Sequence, residues 1–264
     1  MNGAGNDFIM LDNRNGNLQL TQQQIGFLCN RHRGVGADGL LVLELENRET
    51  LYQMRYYNAD GMEVEMCGNG ARCFTRYLAH LEKLSGKITF QTKAGIIQGT
   101  IQGNQVQILM SPPFNLQLHE SLKLNTGQEL KIHTINTGVP HAIFFVSDLN
   151  MTSVVEIGRK IRHHAHFSPA GTNVNFIQIK EPGLLSIRTY ERGVEDETLA
   201  CGTGVVASAL VYHLLSKALS PIFVVTKGGD KLQVSFQVNE NPLQISEVAL
   251  TGPADFVFRG TISI

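Results

Sequence analysis

Two cysteines stand in the same local frame, and that frame is suited to proton chemistry. Cys67-Gly68-Asn69-Gly70 runs into the stretch beginning Ala71-Arg72-Cys73-Phe74, and Cys201-Gly202-Thr203-Gly204 runs into Val205-Val206-Ala207. Each reads Cys-Gly-x-Gly followed by roughly four turns of helix-compatible sequence. A cysteine just ahead of a helix lies beside backbone N–H groups without helical partners, at the positive end of the helix dipole. Both effects favour thiolate over thiol and pull its pKa below the usual value of about 8.5. The glycines let a ligand approach the backbone closely, and the same N–H groups suit a carboxylate. Each block therefore supplies a soft base together with an anion cradle.

Two such blocks point to the two faces of one ligand. Inverting an amino-acid carbon needs a base on one face and an acid on the other, each about 3–3.5 Å from the reacting carbon. A thiolate and a thiol can run this in both directions with the roles exchanged. Helix N-termini aimed at the carboxylate would stabilise the enolate-like charge that develops. The other two cysteines, Cys29 and Cys73, lack a repeated glycine context and read as small buried hydrophobes.

The elements that must position these blocks also look duplicated. Tyr57-Asn58-Ala59-Asp60-Gly61-Met62-Glu63 approaches the first, and Tyr190-Glu191-Arg192-Gly193-Val194-Glu195 approaches the second. A third echo pairs Gly5-Asn6-Asp7-Phe8-Ile9 with Asn173-Val174-Asn175-Phe176-Ile177. After Cys67, apolar residues recur at helical spacing; after Cys201 they occupy nearly every face, which predicts a helix surrounded by other structure. Strands are predicted at 39–45, 51–58, 88–92, 96–101, 105–110, 130–136 and 141–146, then at 174–179, 184–190, 222–227, 232–238, 246–250 and 256–264. Thr21 with Gln24 predicts a capped helix over 22–30, and Ser153 with Glu156 another over 154–164. Pro112-Pro113 marks a boundary. The expected architecture is α/β: two pseudo-symmetric lobes, 1–111 and 112–253, each a curved, mostly antiparallel sheet around a central helix.

Bulk composition removes several function classes. The 264 residues carry a formal net charge of −1, which leaves no electrostatic footprint for nucleic acid or an anionic membrane. No apolar run approaches the roughly 18 residues of a membrane span, and the first residues lack a signal-peptide pattern, so the expected location is the cytoplasm. Four cysteines without a C-x-x-C pair predict neither a disulfide framework nor a metal site.

Gly5-Asn6-Asp7-Phe8, Asn58-Ala59-Asp60-Gly61, Cys67-Gly68-Asn69-Gly70-Ala71-Arg72-Cys73, Glu191-Arg192-Gly193 and Ala200-Cys201-Gly202-Thr203-Gly204 resemble diaminopimelate epimerase, in order over essentially the whole chain. The resemblance implies a cofactor-independent epimerase interconverting LL- and meso-2,6-diaminopimelate, on the route to lysine and peptidoglycan. It also implies a homodimer, and a C-terminal strand over about 254–264 that returns to the first lobe. Carried over, Cys201 takes the proton from the L-centre and Cys67 delivers one to the other face. The N–H groups of Gly68, Asn69, Gly202 and Thr203 hold the reacting carboxylate. Asn6, Asn58, Asn173, Glu191 and Arg192 recognise the far amino-acid end, while His141 and Glu191 tune the cysteines.

Three features depart from the family pattern. Val139 in Gly138-Val139-Pro140-His141 stands where members usually carry Asn, and Gly39 where some carry Gln. The first block also begins close to the start of the chain, which leads us to expect a truncated start or a lobe with a shorter edge. The alternative within catalysis is another two-thiol racemase, such as the proline racemase-like enzymes, which carry His where Asn69 stands here. Other classes are a cysteine-nucleophile hydrolase using His141 as base, which leaves the second block unexplained, and a non-catalytic amino-acid-binding module, which has no use for paired thiols. Nothing in the sequence specifically calls for pyridoxal phosphate.

Overall fold

The computed structural model describes residues 1–46, 51–124, 127 and 129–264. The fold is α/β, and the chain forms two compact units, Met1–Leu109 with Thr251–Ile264, and Met110–Leu250.

The first unit runs β1 (Phe8–Asp12), α1 (Gln22–Cys29), β2 (Gly39–Glu46), β3 (Leu51–Asn58), β4 (Glu63–Val64), α2 (Gly68–Glu82), β5 (Lys87–Thr92), β6 (Gly95–Gln102) and β7 (Gln105–Leu109). Its sheet order is β1-β2-β3-β5-β6-β7. The β1–β2 and β3–β5 pairs are parallel, and β2–β3, β5–β6 and β6–β7 antiparallel. Helix α2 packs on β1 and β2 and also on β6 and β7, so the sheet curls round it. Ala71, Phe74 and Leu78, spaced three and four apart, are fully buried, and the Phe74 ring sits 4.7 Å from that of Phe90. Helix α1 begins with the expected reciprocal Thr21–Gln24 capping box and buries Ile25, Leu28 and Cys29 against Leu40 and Val42.

The second unit runs β8 (Phe114–Lys123), β9 (Glu129–Asn136), β10 (Pro140–Phe145), α3 (Val154–Arg162), β11 (Asn173–Glu181), β12 (Leu184–Glu191), β13 (Asp196–Thr198), α4 (Gly202–Ser216), β14 (Ile222–Val225), β15 (Lys231–Glu240) and β16 (Leu243–Pro253), which passes into the first unit at Thr251. Here β10–β11 and β12–β14 are parallel, while β11–β12 and β14–β15 are antiparallel. Helix α4 touches strands from β9 to β15, and every residue from Gly204 to Tyr212 is buried. That is the environment its all-round apolar surface requires.

Topology therefore maps β1-β2-β3-β4-α2-β5-β6 onto β10-β11-β12-β13-α4-β14-β15. The match reaches side chains. Arg55 on β3 holds Glu63 on β4 with two bonds of 2.9 and 3.1 Å, and Lys93 adds a third contact at 2.9 Å. Arg188 on β12 holds Glu197 on β13 at 2.6 and 2.8 Å, and Lys227 joins at 2.9 Å. Glu63 and Glu197 each precede their cysteine by four residues. Each triad thus clamps the short strand that delivers a cysteine to its helix. Burial alone would raise the Glu197 carboxyl, but Arg188 and Lys227 outweigh it and hold it below the ordinary range.

Several expectations need correction. The counterpart of Glu63 is Glu197, not Glu195: Tyr57 pairs with Glu63 and Tyr190 with Glu197, and the second pair encloses one residue more than the first. Phe8 opens β1, whose counterpart is β10, whereas Asn173 opens β11, the counterpart of β2; the third echo is not a structural equivalence. Ser153 makes no side-chain cap bond, its ψ of 70° lying away from the extended backbone that Thr21 adopts, and α3 ends at Arg162. Strands β1 and β8 were not expected. β8 has left-handed backbone at Asn115 and His119 and two shifts of register, and although its inward positions alternate from Leu116 to Leu122, the polar Glu120 holds one of them and interrupts the apolar pattern. No strand forms over 256–264; Asp255 bridges Asn2, and the residues beyond it take no regular partner.

Candidate functional site

Cys67 and Cys201 occupy equivalent places. Both have extended backbone at the position capping a 15-residue helix, and neither side chain makes the capping bond. The first helical bonds run from Ala71 N–H to Cys67 O at 2.8 Å and from Val205 N–H to Cys201 O at 2.9 Å. The N–H groups of Gly68, Asn69 and Gly70, and of Gly202, Thr203 and Gly204, therefore precede the helical ladder, where a helix attracts anions. Cys67 is half-buried and Cys201 buried, and neither is in a disulfide.

In the first unit the structure brings Asn6 to Cys67 and Asn69. Asn6 Oδ1 accepts from Cys67 Sγ at 3.7 Å and from Asn69 Nδ2 at 3.4 Å. Arg72, fully buried on α2, donates to Asn69 Oδ1 at 3.0 Å, to Gly3 O and to Pro253 O. Asn58 ends β3, and its carbonyl accepts from Gly61 N–H at 2.9 Å in the turn leading to β4. Gly39 pairs with it across the strands. A Cβ on residue 39 would lie 2.7 Å from both the Tyr56 ring and Tyr57 O, so Tyr56 fills the space a glutamine would need. Cys29 and Cys73 are buried, and burial pushes their thiols up to about 11 and about 12. Neither offers a thiolate near neutrality.

In the second unit Thr203 Oγ1 lies 3.6 Å from Cys201 Sγ, and Thr137 Oγ1 donates to Thr203 O at 2.9 Å. Asn173 is buried, its Oδ1 accepting from Arg192 N–H at 2.9 Å and its Nδ2 donating to Pro140 O at 3.2 Å. Arg192 donates to Ala170 O at 3.3 Å, and Glu191 Oε2 accepts from Thr198 Oγ1 at 2.8 Å. His141 is fully covered, with Nδ1 3.1 Å from Asn175 Nδ2. An amide N–H₂ can only donate, so Nδ1 is the acceptor and the imidazole proton sits on Nε2.

Asn175 was missed by sequence reasoning, although it is the hub of this unit. It also donates to Ala142 O at 3.2 Å and accepts from Thr189 Oγ1 at 3.0 Å. A Cβ on Gly204 would meet its Oδ1 at 2.3 Å and Cys201 Sγ at 3.4 Å. Glycine at that place lets the amide reach under the helix start. The available signal was Asn173 and Asn175 two apart on one face of an otherwise apolar strand. Among the described residues no group of three or more His, Cys, Asp or Glu could hold a metal ion, and no helix is long and apolar enough to cross a membrane.

The model of the diaminopimelate epimerase family matches residues 1–114 and 133–257. The diaminopimelate epimerase of Chlorobaculum tepidum is 44% identical over 269 residues, covering 100% of both chains. That of Aquifex aeolicus is 38% identical over 275 residues, covering 100% of this chain and 96% of the relative. Among solved structures, a probable proline racemase from Agrobacterium radiobacter K84 aligns with TM-score 0.68 at 18% identity, covering 88% of this chain and 78% of its own. A PhzF-family phenazine biosynthesis protein from Bacillus anthracis aligns with TM-score 0.68 at 17% identity, covering 96% and 92%. At such identities the structural likeness speaks for the fold alone.

Burial, with the Arg192 charge adding to it, pushes the His141 imidazole from 6.5 down to about 3. The unfolded chain takes up a proton there that the folded chain rejects, so this contribution to stability is lost as pH falls from about 6.5 towards about 3. At pH 5 the loss is about 2 kcal/mol relative to pH 8. His141→Asn should flatten the dependence. Urea unfolding of both proteins at pH 8 and pH 5 measures it, and an equal acid loss in both would reject a neutral buried imidazole.

Proposed function

The chain belongs to the diaminopimelate epimerase family, and on that premise we propose how its residues carry the reaction. The enzyme is an isomerase acting on diaminopimelate, interconverting the LL and meso forms. The Cys201 thiolate removes the α-proton of the L-centre, and the Cys67 thiol gives one to the opposite face, with no cofactor taking part. In the reverse direction the two exchange roles. The N–H groups of Gly68, Asn69, Gly202 and Thr203 receive the reacting carboxylate and the charge that builds on it.

The far amino-acid end falls to Asn6, Asn58, Asn173, Glu191 and Arg192. A guanidinium offers a fork to a carboxylate, while amide oxygens and a carboxylate accept from an ammonium. Asn173 supports this by fixing the Arg192 backbone, and Thr198 by orienting Glu191. His141, held neutral, tunes its surroundings by accepting from Asn175 rather than through a positive charge. The same property makes it a poor general base, which removes the main support for the hydrolase reading.

The observation that carries the proposal is the pair of equivalent helix starts, each led by a cysteine, in a chain matched along its length by curated epimerases. We extend the reading to a cytoplasmic homodimer. Phe256, Val257, Phe258, Ile262 and Ile264 are exposed on one segment of the first unit, an apolar surface that a second copy would cover. Sedimentation of the intact chain and of Phe258→Asp tests this: the first should be a dimer and the second should shift towards monomer, whereas a monomeric wild type would reject it. For the chemistry, Cys67→Ala and Cys201→Ala should each lower inversion of LL-diaminopimelate by about 10³-fold or more, since either face then lacks its proton carrier. Near-normal turnover by either folded variant would overturn the two-thiol mechanism.

A further inference from the structure

Beside Asn6 lies a closed charge cluster that the catalytic reading does not use. Arg31 donates to both oxygens of Asp7, at 2.9 and 2.7 Å, and to Asp38 Oδ1 at 2.8 Å. Asp38 N–H donates to Asp7 Oδ1 at 2.9 Å, and Asp7 N–H to Asp38 Oδ2 at 3.2 Å. The same Asp38 Oδ2 accepts from Asn6 Nδ2 at 2.7 Å. Burial alone would raise the Asp7 carboxyl, but Arg31 and the Asp38 N–H hold it below the ordinary carboxylate range.

This cluster dictates which way the Asn6 amide points. A carboxylate flanked by a guanidinium offers only acceptors, so the amide nitrogen must face Asp38. The amide oxygen is thereby turned towards Cys67 Sγ at 3.7 Å and Asn69 Nδ2 at 3.4 Å. The neighbour is fixed independently: Arg72, which can only donate, takes Asn69 Oδ1, leaving Asn69 Nδ2 towards Asn6. Both ends of the relay thus demand the same orientation.

The orientation matters because an acceptor beside sulfur favours S–H, whereas a donor would favour the thiolate. It opposes the pull of the α2 N-terminus on Cys67. Cys201 has a different neighbour, the Thr203 hydroxyl at 3.6 Å, which can rotate to donate to a thiolate. We propose that Asp38 and Arg31 are positioning residues that lock the Asn6 amide with its oxygen on Cys67, so that this cysteine rests as the protonated partner. The inference rests on the two-thiol reading and explains how two thiols at equivalent helix starts take opposite resting states. Other charged or titratable groups near this place are Arg72 on α2, Asp255, the Met1 ammonium facing Asp7 and Cys73, and the Cys29 and Cys73 thiols, which burial keeps protonated.

Asp38→Asn tests the lock, because an amide at position 38 can donate and so allows Asn6 to turn its nitrogen to the sulfur. Asp38 and Arg31 are well exposed, so the site tolerates replacement. In a Cys201→Ala background, the rate of iodoacetamide alkylation of Cys67 is followed against pH by peptide mass spectrometry. The midpoint should fall by about one pH unit, giving about tenfold faster alkylation below both midpoints. Asp38→Glu, again an acceptor for the Asn6 amide nitrogen, should bring the midpoint most of the way back. In the otherwise unaltered enzyme, Asp38→Asn should lower kcat more than it raises KM in the direction where Cys67 gives its proton.

A merely structural role would lower the melting temperature and leave the alkylation midpoint in place, and an unmoved midpoint in folded Asp38→Asn overturns the proposal. Should that variant not fold, Asn6→Ala carries the same test without changing any charge: with the acceptor gone from the Cys67 sulfur the midpoint should fall, and an unmoved midpoint is equally fatal. The titration needs neither substrate nor turnover. Failure of the epimerase reading would appear separately, as no inversion of LL-diaminopimelate by the unaltered enzyme.

Discussion

The N–H groups of a helix's first turn have no carbonyl to bond, and this chain places that shortage next to a thiol twice over. The surrounding features serve it. Glycine after each cysteine opens the backbone, the curled sheets bury the helices α2 and α4 that carry the dipole, and the Arg55–Glu63–Lys93 and Arg188–Glu197–Lys227 triads pin the strands that lead into the cysteines. Without that shortage the carboxylate loses its cradle and the thiolate its stabilisation together.

Equivalent backbone does not give the two thiols equivalent surroundings. Cys67 meets an amide oxygen whose direction is set two groups away by Arg31, whereas Cys201 meets the hydroxyl of Thr203. In the second unit, Asn175 occupies the space beneath Gly204 and gives the buried His141 its hydrogen bond. In the proposed mechanism the two units share one frame, and the neighbouring side chains divide the labour between acid and base.

The legibility of this arrangement in the sequence follows the range of the interactions. Cys-Gly-x-Gly with an apolar run behind it is a local signal, and both helices formed where the runs predict. The Thr21–Gln24 capping box is equally local and formed, while Ser153 with Glu156 has the same pattern but a backbone at Ser153 that departs from the extended capping conformation. Strand β8 was hidden because Glu120 takes one of its inward positions and breaks the run of alternating apolar residues Leu116, Leu118 and Leu122. One added residue between Tyr190 and Glu197 was enough to misplace the partner of Glu63. Asp38 and Asn6 lie thirty-two positions apart, and a hydrogen bond across that distance leaves no mark on the residues between.

The measurement that bears most directly on two proton carriers is deuterium placement during the first turnovers. LL-diaminopimelate is incubated in ²H₂O without added cofactor, and early samples of product and recovered substrate are separated and weighed by mass spectrometry. If one thiol removes the proton and a different one returns it, the meso product carries α-deuterium from the outset while recovered LL substrate stays unlabelled. Label rising in the recovered substrate as fast as in the product, or a product retaining the original hydrogen, would mean a single group serves both faces and would contradict the account.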